Sequence, residues 1–158
     1  MIEAFLKDHG ITFERFDHPA VFTCEESERL EMEIPGARTK NLFLRDDKGK
    51  RHFLVSIPHE KKLDLKAFGA MVGAKSIGFA SPERLKKYLG VDPGSVTILG
   101  LVNDHEKEVE VWIDEDLWRA EKIGCHPLVN TATLVIPHEG LETFLKSTGH
   151  TAQVYAFP

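Results

Sequence analysis

The chain has 158 residues, enough for one domain with a buried core. With 42% hydrophobic and 28% charged residues, short apolar runs and no signal-peptide pattern at the start, it excludes a membrane-spanning helix and a secreted disulfide scaffold. A net charge of −5 argues against a non-specific nucleic-acid binder, yet Arg38 to Lys87 holds thirteen Lys/Arg against five Asp/Glu, and the rest of the chain seven against twenty.

The first predicted element is a helix carrying Ile2, Phe5 and Leu6 at helical spacing. "FTCEESERL" offers a second, with Thr23 and Glu26 spaced as a capping box. "NLFLRD" and "RHFLVSI" read as strands joined by a hairpin turn at "DKGK". The near-continuous apolar "FLVSI" predicts a central strand covered on both faces. Leu65, Phe68, Met71 and Val72 predict a looser helix. Ser81-Pro82 opens a helix bearing Leu85, Tyr88 and Leu89, with Ser as N-cap and Pro at the first helical position. "SVTILGLV" and "EVEVWID" are expected to form a second hairpin around "NDHEKE". "TATLVI" is a further buried strand, Leu141, Phe144 and Leu145 mark a last helix, and "AQVYAF" a last strand. No linker divides them, so a single domain over residues 1–158 is expected, of mixed α/β (α+β-like) class with a largely antiparallel sheet.

Several chemistries find no support. The eight histidines include no i, i+4 pair and there is no Cys-x-x-Cys, so no metal or other cofactor is called for. P-loop, Rossmann and Gly-x-Ser-x-Gly patterns are absent. Cys24 and Cys125 read as free thiols in a reducing compartment, which points to the cytoplasm. Cys125 and His126 are neighbours, and on an extended segment neighbours point to opposite faces, so they are poorly placed for Cys-His catalysis. Such a chain, if an enzyme, acts on an already reactive bond by positioning and polarisation. "IGCHPLVNTAT", before the apolar "LVI", has the small, polar composition of a pocket wall. "HPAVFT" and "HPLVNT" share His-Pro-x-Val-x-Thr; this fits two Pro-stiffened strand entries as well as it fits an internal duplication.

"HPAVFTCEES", "RTKNLFLRDDKG", "SIGFASPERLKKYLGVDPGSVT" and "CHPLVNTATLVI" occur in that order. Together they resemble the YbaK / prolyl-tRNA synthetase editing-domain family over essentially the whole chain, with most likeness to the free-standing ProX members that clear alanine from mischarged proline tRNA. The resemblance implies a mixed α/β fold with a partly barrel-like central sheet, and hydrolysis of an aminoacyl ester at the tRNA 3′ end. Lys40 matches the family's motif lysine at the mouth of the active site, with Asn41 beside it. His126 matches the histidine of the aminoacyl pocket, and Gly94 the start of a Gly-x-x-x-Pro loop whose backbone faces the ester. Here "GSVTI" puts Ile98 where the family has Pro, which touches the aim of Ser95 and Thr97.

Gly124, Pro127, Asn130 and Thr131 surround His126 with small or polar groups, and Thr23 could serve both as helix cap and pocket rim. From charge alone, Arg45, Lys50, Arg51, Lys61 and Lys62 are candidate tRNA contacts. Without the resemblance, Lys40 reads equally as a solvated strand-start lysine and His126 as a structural histidine. The expected activity is deacylation of alanine from proline tRNA in trans. Cysteinyl-tRNA(Pro) deacylation, or a non-catalytic module that binds tRNA or a synthetase, is the alternative. Mischarged proline tRNA is the expected partner, with prolyl-tRNA synthetase or an elongation factor as further candidates, and neither a membrane nor a specific duplex DNA.

Overall fold

The computed structural model describes residues 2–19 and 34–158. In chain order it holds α1 (Ile2–Asp8), β1 (Glu14–Asp17), β2 (Thr39–Asp46), β3 (His52–Pro58), α2 (Leu65–Val72), β4 (Ile77–Phe79) and α3 (Pro82–Leu89). A 3-10 helix (Ile98–Asn103), β5 (Val109–Asp114), α4 (Glu115–Arg119), β6 (Lys122–Cys125), β7 (Ala132–Pro137), α5 (His138–Thr148) and β8 (Ala152–Tyr155) follow. The helix expected in "FTCEESERL", with Thr23, lies outside the described residues.

Five strands form a mixed sheet in the order β4-β2-β3-β5-β8, and three form a second sheet, β1-β7-β6. The β2–β3 hairpin forms as its turn predicts, with Asn41 opposite Ser56 and Lys40 opposite Ile57. Strand β3 is buried along its whole length. Its Leu54 face joins Phe43, Val111 and Ile113 in the larger core, between the sheets. Its other face places Phe53, Val55 and Ile57 with Leu44, Phe68 of α2 and Phe157 in a second core. Burying each such side chain contributes about 1.5–3 kcal/mol, which makes β3 the anchor of the fold.

The predicted helices at Ile2, Leu65, Pro82 and Leu141 are present. Ser81 accepts a hydrogen bond from the Arg84 N–H at 3.3 Å, and Asp64 accepts one from Ala67 at 3.0 Å, so α3 and α2 start on side-chain caps. The second hairpin does not form. Residues Ile98–Asn103 turn into the 3-10 helix, capped by the Thr97 hydroxyl, which accepts from the Leu99 N–H at 3.2 Å. Ile98, Leu99 and Leu101 are all buried, and a short apolar run suits a buried helix as well as a strand. Strand β5 instead lies parallel between β3 and β8. The β4–β2–β3 and β1–β7–β6 pairings are antiparallel, so antiparallel pairs predominate as expected among the described residues. The sheets meet where Ala37 bridges Ile123 just before β2 begins, without closing into one barrel.

Candidate active site

Strands β1 and β6 flank β7 and both run antiparallel to it, so both end at the same edge of the small sheet. Each is followed by His-Pro. The repeated motif therefore marks two strand exits, not strand entries. The His18 N–H donates to the Thr131 carbonyl at 2.9 Å, and its Nε2 lies 3.0 Å from Thr133 Oγ1. His126 Nδ1 lies 3.2 Å from the Ala132 carbonyl. A carbonyl can only accept, so Nδ1 carries the hydrogen.

The start of β2 is fastened beside this edge. Thr39 donates its hydroxyl to the Gly124 carbonyl at 2.8 Å, which brings the Lys40-Asn41 pair alongside the segment leading to His126. Side chains alternate along β2. Thr39 and Asn41 face a small hollow lined also by Ser56, Ile98, Ile113, Leu117, Ile123, Cys125 and Leu141. Ser56 donates its hydroxyl to Asn41 Oδ1 and fixes the amide. Lys40, on the alternate side, donates to the Lys61 carbonyl. An ammonium has three donors, so this contact pins Lys40 without exhausting it. Neither Lys40 nor His126 lines the hollow; their chain neighbours Thr39, Asn41 and Cys125 do.

The Gly94 loop reaches the same region. Gly94 has φ 92°, a conformation suited to glycine, and a Cβ there would come within 3.7 Å of Asn130 Nδ2. The Ser95 N–H donates to Asp92 at 3.0 Å and the residue is buried. Thr97 is fully buried with its hydroxyl used as the cap of the 3-10 helix, so it supports the loop and does not line its open side. Ile98 is the first residue of that helix. A first helical position tolerates Pro because its N–H has no intrahelical partner, so replacing Pro by Ile there leaves the capped turn intact. Gly124 packs closely for a different reason: a Cβ would stand 3.2 Å from Thr133 Cγ2, and the threonine would have to give by a few tenths of an ångström. Pro127 is buried, Asn130 half-buried and Thr131 exposed.

The basic residues divide. Arg51 is held by Glu110 through two hydrogen bonds of 2.8 Å and by the Val72 carbonyl at 2.6 Å. Lys61 donates to Asp114 at 2.9 Å and to the Phe157 carbonyl at 2.8 Å, and the Asp114 hydrogen bond raises its pKa. Arg45 spans its own turn to the Asp46 and Asp47 carbonyls. Only Lys50 and Lys62 of the five are exposed. Burial pushes the Cys125 thiol up to about 12, so it stays protonated at neutral pH and is no nucleophile. His52 is also set apart: burial, with Arg84 beside it, lowers its pKa. Sequence reasoning passed over Thr39, Ser56 and Thr133. The first two could have been found from strand alternation and hairpin register, but Thr133 only from the two His-Pro segments that flank it.

These features define an aminoacyl-tRNA editing fold, and the chain belongs to that family: the aminoacyl-tRNA editing domain matches residues 18–144. Within the family, the chain is 39% identical over 148 residues to the prolyl-tRNA editing protein ProX of Acetoanaerobium sticklandii, covering 94% of this chain and 90% of that one. It is 37% identical over 158 residues to prolyl-tRNA synthetase associated domain-containing protein 1 of Danio rerio, covering 99% and 85%. The fold matches a crystal structure described as a candidate trans-editing enzyme for prolyl tRNA synthetase, with TM-score 0.72 at 22% identity and coverage of 99% and 93%. No helix among the described residues is long and apolar enough to cross a membrane.

Proposed function

We propose that this chain is a trans-acting deacylase that hydrolyses the ester of alanine mischarged onto proline tRNA. The observation that carries the reading is the Thr39–Gly124 contact, which sets the Lys40-Asn41 segment alongside the segment leading to His126. Membership of the editing-domain family and the name of the Acetoanaerobium relative support the same reaction.

An aminoacyl ester is already activated, so catalysis needs a held water and donors for the developing oxyanion, not a protein nucleophile. Water adds to the carbonyl carbon, the carbonyl oxygen becomes the oxyanion, and the ester C–O bond breaks. The ribose hydroxyl of the terminal adenosine leaves with a proton, and alanine departs as the acid. A neighbouring ribose hydroxyl orients the water. Lys40 supplies a point charge toward the terminal phosphate, and the Gly94 backbone faces the ester. His126 serves the ester or the substrate amine. Asn41, Gly124, Pro127, Asn130 and Thr131 shape the pocket, with Ser95 and Thr97 holding the loop and Thr23 at the rim. A close pocket excludes the proline ring sterically, whereas a site that merely prefers the larger residue gains only ~1–3 kcal/mol per methylene. Lys50 and Lys62 are the exposed cations that would follow the acceptor stem. The chain would work in the cytoplasm, beside prolyl-tRNA synthetase or an elongation factor.

The test is deacylation of proline tRNA charged with alanine, cysteine or proline by the purified chain. Alanine is released fastest and proline is spared. Comparable release of all three refutes the specificity; fastest release of cysteine reassigns the substrate; release of none leaves a binding module.

A further inference from the structure

The substrate of this reaction carries a positive α-ammonium one carbon from the ester. Lys40 is a cation, which suits the phosphate and not the ammonium. An acceptor is required. From the geometry around the first residues of β7 we infer that Thr133, oriented by His18, accepts a hydrogen bond from the substrate α-ammonium. The inference rests on the deacylase reading above and names a specificity residue within it.

His18 Nδ1 lies 2.9 Å from the Pro19 carbonyl, which can only accept, so Nδ1 carries the ring hydrogen. In the neutral ring Nε2 is then an acceptor, and it lies 3.0 Å from Thr133 Oγ1. The threonine hydroxyl therefore gives its one proton to His18 and turns its lone pairs toward other donors. A threonine unconstrained in this way could rotate to act as donor. His18 is itself fixed by its backbone N–H on Thr131.

Position agrees with this role. Thr133 alternates with Leu134, which points into the larger core, so Thr133 projects from the opposite face. Cys125 pairs with Leu134, and continuing that register by one residue sets His126 opposite Thr133. Directly opposed side chains on neighbouring strands stand roughly 4.5–5.5 Å apart, so an amino acid held beside His126 comes within reach of Thr133. Gly124, diagonal to Thr133, leaves the room a Cβ would take. The two His-Pro segments thus flank Thr133 from the two neighbouring strands.

The experiment compares two esters on the same proline tRNA, alanyl and propionyl, the second having hydrogen in place of the ammonium. Thr133→Val is expected to lower kcat/KM for the alanyl ester about ten- to a hundredfold, the range of a hydrogen bond to a charged group, and to leave the propionyl rate unchanged. Thr133→Ser restores the preference, and His18→Ala loses part of it. Equal slowing of both esters by Thr133→Val, or no slowing of either, overturns the assignment. If Thr133→Val does not fold, the same two-ester comparison on His18→Ala decides: a loss confined to the alanyl ester supports the assignment, and an equal loss or none overturns it. A wild-type chain that hydrolyses neither ester overturns the deacylase reading and this assignment with it.

Discussion

In the five-stranded sheet, β3 is buried from His52 to Pro58 and takes apolar neighbours on both faces; in the three-stranded sheet, β7 packs Leu134 and Ile136 inward and meets His18 and His126 at its start. The first strand spends its residues on stability. The second gives Leu134 and Ile136 to the core and, at its start, carries Thr133 beside His18 on the other face. Because the two sheets touch at Ala37–Ile123 and through Thr39, the rigid sheet can aim the lysine of β2 at an edge whose own strands are short. A site built this way needs little mobile chain to be precise.

The contrast can be broken most sharply at β3. Phe53→Ala removes a fully buried ring that packs edge-on to Phe68 at 5.3 Å, and should cost about 3–5 kcal/mol in urea unfolding, with activity lost only through unfolding. Next come Lys40→Ala and His126→Ala, each expected to slow deacylation of alanyl proline tRNA about a hundredfold while the melting temperature moves little. A large fall in melting temperature for both would move them from chemistry to structure.

The Cys125 thiol, raised from its ordinary value of 9.0 to about 12 by burial, gives a pH signature of the sheet interface. The folded state keeps a proton that the unfolded state releases, so this contribution is present below pH 9 and is lost as pH rises from about 9 to about 12. Urea titrations across that range should show stability falling, and Cys125→Ala should flatten the fall. The smallest effect is at a helix start remote from the site: Ser81→Ala removes the α3 cap and should cost about 1 kcal/mol with deacylation per folded molecule unchanged.

Much of the scaffold was legible. The β2–β3 hairpin, the double burial of β3, the Ser81-Pro82 helix start and the Leu141 helix all follow from local chemistry that a window of a few residues contains. The stretch from Ile98 to Asn103 was misread because its apolar run carries no period, and only the cap from Thr97 and the space beneath it choose a helix. The candidate residues Lys40 and His126 came from their motifs, and the Thr39–Gly124 contact between their segments from the fold. Arg51 and Lys61 show the limit of charge counting: both lie in the basic stretch, and both are tied to carboxylates far along the chain, Glu110 and Asp114.

By itself, then, the order of residues determined where most helices and the β2–β3 hairpin begin and which strand lies deepest, because these depend on neighbours within a turn or a strand; the histidine and lysine to watch came from the family resemblance. Only the tertiary structure decided that β5 lies parallel to β3, that the two His-Pro segments grip one strand from both sides, and that Thr133 stands between them. Those are contacts between residues up to 115 positions apart, and no local periodicity encodes which distant strand a given edge will meet.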